Sequence, residues 1–194
     1  ERPGYDGVCV QQNLRRASGR YRRAPVGIGI VLLRPDCYFS RISAIDPIDD
    51  LRKKGVRAVL LDMDNTLLTR DTHEVPEDVK QWLSDVKRAG IAPCILTNNW
   101  HSSAHDCPRE IGLPIVARAL KPLPFSYFVA CRKLGVKRLE TACIGDQLMT
   151  DVWGGRLLGM RAIMVKPLVA KDLKHTLFLR RIEKRILCDM PIER

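Results

Sequence analysis

The sequence predicts an α/β fold of three layers, a parallel sheet with helices packed on both faces. Two observations carry this prediction. Apolar runs at 56–61, 91–96, 139–144 and 161–165 are short and continuous rather than alternating, as in strands buried on both sides. Segments with apolar residues at helical spacing separate them, and strands that alternate with helices at short range build parallel sheets. A third observation concerns polar residues. They gather just beyond the runs, where an open parallel sheet binds its ligands.

The elements follow in order. Residues 1–34 carry seven basic and two acidic side chains without periodicity, and a basic, flexible N-terminal arm is expected there. The longest apolar stretch, 26–33, has eight residues, whereas a bilayer-spanning helix needs about 20. Arg20, Arg22 and Arg23 precede it, but no small-residue cleavage site follows, so it does not read as a secretory signal. Residues 35–51 read as a loop and a helix start, with a turn or cap at Asp46-Pro47 and acid at Asp49 and Asp50. The first strand is 56–61. A helix over 77–89 places Val79, Trp82, Leu83 and Val86 on one face, between the start signal Pro76 and the stop signal Gly90. The second strand, 91–96, precedes a further helix at 101–110 and a short strand at 115–117. A helix over 126–134 ends at Gly135. Strand 139–144, helix 151–158 and strand 161–165 complete the sheet, and Pro167 closes the last strand. Trp82 and Phe128 are assigned to the core. Asn65 is expected to shape its loop by bonding its own backbone. The whole describes a Rossmann-like sheet.

Composition excludes several classes. The chain has 194 residues, of which 45% are apolar and 28% charged, so collagen-like, low-complexity and fully disordered readings fail. A chain of this length buries about 70% of its extended surface and needs no covalent staple. The seven cysteines are odd in number and lack C-x-x-C spacing, and Cys94 and Cys143 lie inside apolar runs. Reduced thiols of a cytoplasmic protein fit this better than a disulfide framework or a zinc site. His101 and His105 stand four apart but have no evident third ligand, and read as solvated or capping residues. The net charge of +11 is densest at the two ends, with +5 over residues 1–34 and +3 over 171–194. Such ends suit a polyanion, either a membrane surface or a nucleic acid, or serve solubility alone.

Chemistry enters at the strand ends. The first strand runs into Asp62-Met63-Asp64, whose alternate side chains project to one side. The second runs into Thr97-Asn98-Asn99. The strand at 139–144 runs into Gly145-Asp146, with Asp151 five residues on, and Lys121 precedes Pro122 after the short strand. Four carboxylates around one crevice would repel a phosphate. A hard divalent cation, Mg²⁺ by preference, reverses that field, and Lys121 and Thr97 add positive charge and a donor. One carboxylate can then attack phosphorus to form an aspartyl-phosphate, while its neighbour protonates the leaving oxygen and later activates water. This is two-step hydrolysis of a phosphomonoester.

These residues resemble the four motifs of the haloacid dehalogenase-like (HAD) phosphatase superfamily: Asp62-x-Asp64-x-Thr66, Thr97, Lys121 and Gly145-Asp146-x-x-x-x-Asp151. The stretches 61–67 and 145–155, with Pro35-Asp36-Cys37-Tyr38 and the Arg-rich C-terminal segment, are similar to its class IIIA YqeG family. The resemblance covers roughly residues 35–188 and implies an HAD-like domain over 35–170. It implies that Asp62 is the nucleophile and a metal ligand, and that Asp64 is the general acid/base with its main-chain carbonyl on the metal. It further implies that Thr97 and the amide of Asn98 bind the phosphoryl oxygens, that Lys121 stabilises the phosphoenzyme, that Asp146 completes the metal site, and that Asp151 orients Lys121 or a metal-bound water from behind.

Relatives in this superfamily often insert a cap after the first motif or between the second and third. Here the intervals from Asp64 to Thr97 and from Thr97 to Lys121 are filled by core elements, so no cap domain is expected and the crevice should be open. An open site suits a phosphate carried on something large. Residues 171–194 read as a basic amphipathic helix that either lies on an anionic membrane or packs on the core. The YqeG family is similar to phosphatidylglycerophosphate phosphatases, which implies a lipid substrate at the cytoplasmic membrane face. Two alternatives stand beside it: a soluble or protein-borne phosphate ester, and a non-enzymatic basic protein that binds nucleic acid. No basic patch interleaved with aromatic residues supports the latter.

Overall fold

The computed structural model describes residues 32–69, 72, 74–100, 111–169, 183, 185–187 and 190–193. Six strands form one sheet: β1 (Cys37–Phe39), β2 (Ala58–Leu61), β3 (Ala92–Leu96), β4 (Ile115–Val116), β5 (Thr141–Gly145) and β6 (Arg161–Val165). Their order is β1-β6-β5-β2-β3-β4, and every neighbouring pair is parallel. β2 and β5 are buried along their whole length; β2 is apolar throughout, and in β5 the hydroxyl of the buried Thr141 donates to the Lys137 carbonyl.

Helix α1 (Glu77–Arg88) covers one face. Its acidic first turn and basic last turn complement the helix dipole. Val79, Trp82, Leu83 and Val86 pack on Val59, Leu61, Ile95 and Ile144 of the sheet. The Trp82 indole nitrogen, buried with its ring, donates to the Ile45 carbonyl at 2.8 Å. Helix α2 (Phe125–Leu134) covers the other face, where Tyr127, Ala130 and Cys131 meet Leu60, Cys94, Leu96 and Cys143. A π-helical turn (Leu148–Val152) leads into the short α3 (Trp153–Leu157) on the same side. Each large aliphatic side chain fully buried in these layers contributes about 1.5–3 kcal/mol. Three layers result, and among the described residues no cap domain interrupts them.

Several expectations change. Residues 37–39 form an edge strand, not a loop. β1 pairs with β6, and Asp36 anchors it by accepting from the Ala162 amide at 2.7 Å and from Arg156 at 2.5 Å. Phe128 lies on the outer side of α2 and is half exposed, so it is not core. β5 begins at Thr141 because Arg138–Glu140 forms a 3₁₀ turn in which the Lys137 amide donates to the Glu140 carboxylate. The expected helix at 101–110, with His101 and His105, lies outside the described residues, as do residues 1–31 of the arm and most of 171–194. Where those ends are described they touch the core: Leu33, Ile186 and Leu187 pack against Leu148, Val152 and Met164. The buried Glu183 accepts from the Leu148 amide at 2.9 Å, and the Glu193 amide donates to Tyr38 of β1. Cys37, Cys94, Cys131 and Cys143 are free thiols.

Candidate active site

The chain passes from β2 to β3 on one side of the sheet's centre and returns with β5 on the other. This switch opens a crevice at the carboxyl ends of the strands. The register pairs Leu61 of β2 with Ile95 of β3 and Ile144 of β5. Asp62, the first residue beyond β2, is therefore level with Leu96 and Gly145, and Thr97 and Asp146 follow one residue further along their strands.

The carboxylates of Asp62, Asp146 and Asp151 are buried, and each offers an oxygen within 4.8 Å of the others. Lys121 reaches in from the opposite wall. Its ammonium donates to Asp62 Oδ1 and to Asp151 Oδ1, each at 2.6 Å. Burial alone would favour the neutral amine, but the Asp151 and Asp62 carboxylates more than reverse it, so the Lys121 pKa is raised and the group stays charged. Burial pushes the Asp151 carboxyl up to about 6 against the opposing pull of Lys121. Three buried carboxylates facing this ammonium leave an excess of negative charge, and all three are hard oxygen donors. The set fits a hard divalent cation such as Mg²⁺.

Asp64 stands apart from that group. Its carboxylate oxygens accept from the Asn99 side-chain amide, both at 3.4 Å. The family resemblance implies a metal contact through the Asp64 main-chain carbonyl rather than its carboxylate, and the carboxylate that joins those of Asp62 and Asp146 is that of Asp151. Asp151 combines two tasks. One oxygen meets Lys121, and the other accepts from the Gln147 amide at 3.2 Å, which fastens the π-helical turn. Gly145 makes this approach possible. A Cβ there would lie 2.3 Å from Asp151 Cγ, closer than any side chain tolerates.

The loop that presents Lys121 is strained and laced down. Arg118 and Leu120 both have left-handed backbones, at φ 53° and 54°, which costs about 1–2 kcal/mol each for residues with a Cβ. Four hydrogen bonds to residues 97–99 offset it. The Arg118 amide donates to the Asn99 carbonyl and the Ala119 amide to the Thr97 carbonyl. Asn98 grips both main-chain groups of Lys121: its Oδ1 accepts from the Lys121 amide at 2.7 Å, and its Nδ2 donates to the Lys121 carbonyl at 3.1 Å. The Asn98 side chain thus faces the lysine loop, a contact that sequence spacing does not reveal. The Thr97 hydroxyl, fully buried, accepts from the Asn99 amide at 3.0 Å.

Asn65 makes a second clamp of the same kind, over a greater separation. Its side chain pairs with the Val169 amide and carbonyl, at 2.9 and 3.0 Å, and so ties the Asp64 turn to the segment after β6. It does not bond its own backbone, as the sequence suggested. Its left-handed conformation, φ 68°, is one that asparagine accepts readily.

A parallel sheet with the four motif segments at one edge defines a class of enzyme, and comparison with known proteins agrees. The haloacid dehalogenase-like hydrolase family matches residues 46–159, and the chain belongs to it as an HAD-like phosphatase. Within that class it belongs with the YqeG branch: it is 33% identical over 153 residues to the probable phosphatase YqeG of Bacillus subtilis (strain 168), covering 79% of this chain and 88% of that one. It is also 26% identical over 114 residues to human N-acylneuraminate-9-phosphatase, covering 51% of this chain and 46% of that one. Among solved structures, the cobalt-bound deoxy-D-mannose-octulosonate 8-phosphate phosphatase of Haemophilus influenzae superposes with a TM-score of 0.47 at 14% identity, over 70% of this chain and 89% of that one.

Proposed function

We propose that the protein hydrolyses a phosphomonoester through an aspartyl-phosphate on Asp62, and that its substrate is phosphatidylglycerophosphate at the cytoplasmic face of a membrane. The observation that carries the chemistry is the Lys121 ammonium held between Asp62 and Asp151 beside Asp146. Lys121 occupies Asp62 Oδ1, which leaves Oδ2 to attack phosphorus. As the P–O bond to the leaving group breaks, Asp64 gives that oxygen its proton. Its carboxylate then takes a proton from water as the water attacks the phosphoenzyme, which releases phosphate and restores Asp62. The Thr97 hydroxyl and the main-chain N–H of Asn98 hold the phosphoryl oxygens, and Lys121 offsets the charge that develops on them. Asp62, Asp146 and the Asp64 carbonyl would hold Mg²⁺, with Asp151 behind them on Lys121. When bound, the ion supplies charge neutralisation at the phosphoryl group.

Two features support a large substrate. The described residues leave the strand ends uncovered by any inserted domain, so a bulky ester has access. The YqeG resemblance and the charge of +11 favour one carried on an anionic lipid. No helix among the described residues is long and apolar enough to cross a membrane. The test is a turnover screen of purified protein on phosphatidylglycerophosphate vesicles beside soluble phosphate esters. The lipid should be preferred, Asp62→Asn should abolish phosphate release without unfolding the chain, and EDTA should silence the enzyme until Mg²⁺ is added. A clear preference for a soluble ester would remove the lipid assignment, and activity in Asp62→Asn would remove the nucleophile.

A further inference from the structure

The wall of the crevice that carries Lys121 has an unusual outer surface. Helix α2 buries Ser126, Tyr127, Ala130 and Cys131. Its opposite face shows Phe125, Phe128, Val129 and Arg132, the i, i+3, i+4, i+7 stripe that an amphipathic helix normally turns inward. Phe125 is 78% exposed and Phe128 50%. The strained loop before the helix points Leu120 and Leu123 outward, at 52% and 56% exposure. Across the lysine loop, on the segment after β3, Trp100 is 59% exposed, with the Arg118 guanidinium 5.4 Å from its ring centre. Large apolar side chains therefore border the phosphate site on two segments.

Charge selects the occupant. Residues 111–139 contain six basic side chains and no acidic one, although the whole chain has 22 acids among 194 residues. Of the six, Lys121 is committed to the site, while Arg118, Arg132, Lys133, Lys137 and Arg138 are exposed. An apolar protein surface would match Phe125 and Phe128 but leave Arg132 on the same stripe and Arg118 over Trp100 without counter-charge. Nucleic acid would match the cations but not the protruding leucines. An anionic bilayer answers both, with acyl chains for the apolar tips and headgroup phosphates for the rim. Tryptophan and long cationic side chains are the residues suited to that boundary.

We infer that this surface, from Trp100 through Leu120 and Leu123 to the outer face of α2, docks the protein on an anionic lipid bilayer and sets the Lys121 side of the crevice at headgroup level. The inference rests on the lipid-substrate reading for its purpose, but it is tested apart from it. The assay is flotation of the full chain with vesicles of phosphatidylcholine alone or mixed with phosphatidylglycerol. The protein should float with the mixed vesicles, and added salt should weaken this. Phe125→Glu combined with Phe128→Glu should lower partitioning at least about tenfold. Arg132→Glu combined with Lys133→Glu should lower it by a similar factor or more. Both variants should keep wild-type turnover of a soluble aryl phosphate; the Phe variant should keep its urea midpoint, while the charge variant, which loses the Lys133 bond to the Ile115 carbonyl and sets acid at the end of α2, should lower it.

Wild-type protein that stays with the soluble fraction, or variants that float as well as wild type, would overturn the docking surface. So would a lowered urea midpoint in the Phe variant, because it would mean that another part of the chain covers this face. Turnover of detergent-dispersed phosphatidylglycerophosphate separates the two readings. Docking without such turnover would leave the surface standing and remove the substrate. Turnover with no dependence of flotation on these residues would do the reverse.

Discussion

Replacing Gly145 by alanine should damage stability and catalysis together, through one contact. The added Cβ would sit 2.3 Å from both Cγ and Oδ2 of Asp151 and 2.7 Å from its Cβ. Ordinary carbon contacts begin near 3.5 Å, so the carboxylate must retreat by roughly 1 Å. It has little freedom to do so. Lys121 holds one of its oxygens at 2.6 Å and the Gln147 amide the other at 3.2 Å. Overpacking a tight interior costs about 1–3 kcal/mol, and weakening a charge-assisted hydrogen bond adds about 1.5–3 kcal/mol. A loss of about 2.5–6 kcal/mol follows, readable as a shift of the urea midpoint at constant slope. A displacement of this size beside the reacting group should also lower aryl phosphate turnover by about a hundredfold. Asp151→Gly removes all three colliding atoms, so in that background Gly145→Ala should cost less by at least about 1 kcal/mol. Additive effects in this cycle, or a Gly145→Ala protein with wild-type stability and turnover, would refute the argument that glycine is there to admit Asp151.

Other perturbations follow from the same contacts. Asn98→Ala removes both side-chain bonds to the Lys121 main chain and should cost about 1–3 kcal/mol and lower turnover at least about tenfold; Asn98→Asp, which keeps the acceptor, should fall between, and wild-type kinetics in Asn98→Ala would remove the clamp. Glu183→Ala leaves the buried Leu148 amide without this acceptor and should lower stability by about 1–3 kcal/mol, whereas Glu183→Gln should lose less; equal losses would show that packing, not the hydrogen bond, matters there. Burial pushes the Cys94 thiol up to about 11 and that of Cys143 higher still, so a thiol reagent at mildly alkaline pH should label neither until the chain is unfolded, while the half-buried Cys37 should react earlier, as peptide mass spectrometry would show.

The parts of the molecule that announce themselves in the sequence are those whose burial is local and repetitive. The runs that became β2, β3, β5 and β6 are continuous because both faces of the sheet are covered, and α1 shows its buried stripe between Pro76 and Gly90. β1 has no such signature. It is three residues long, and its place is fixed by Ile163 and by Asp36, which act from outside the segment. Phe128 sits at a helical spacing shared by an inward and an outward stripe, and only the position of the sheet decides between them. The site divides in the same way. Asp62, Thr97 and Asp146 are found at strand ends, and Lys121 and Asp151 on the segments that follow strands, because topology brings these ends together. The two asparagine clamps escape notice because an amide pairing with a distant main chain leaves no pattern in residue types. Gly145 was the readable hint: a glycine directly before a strand-end acid marks a place where something must come close.

The pairing of β1 with β6 has a consequence for biosynthesis. As the chain leaves the ribosome, Cys37 emerges early and its partner Ile163 only after every other strand of the sheet. The middle strand β2 likewise waits for β5 to cover its second edge. The sheet therefore cannot close until β6 has been made, and until then two strand edges stand open to neighbouring nascent chains. Chaperone dependence in a cell-free synthesis should accordingly rest on how fast the stretch from β5 to β6, residues 141–165, is delivered.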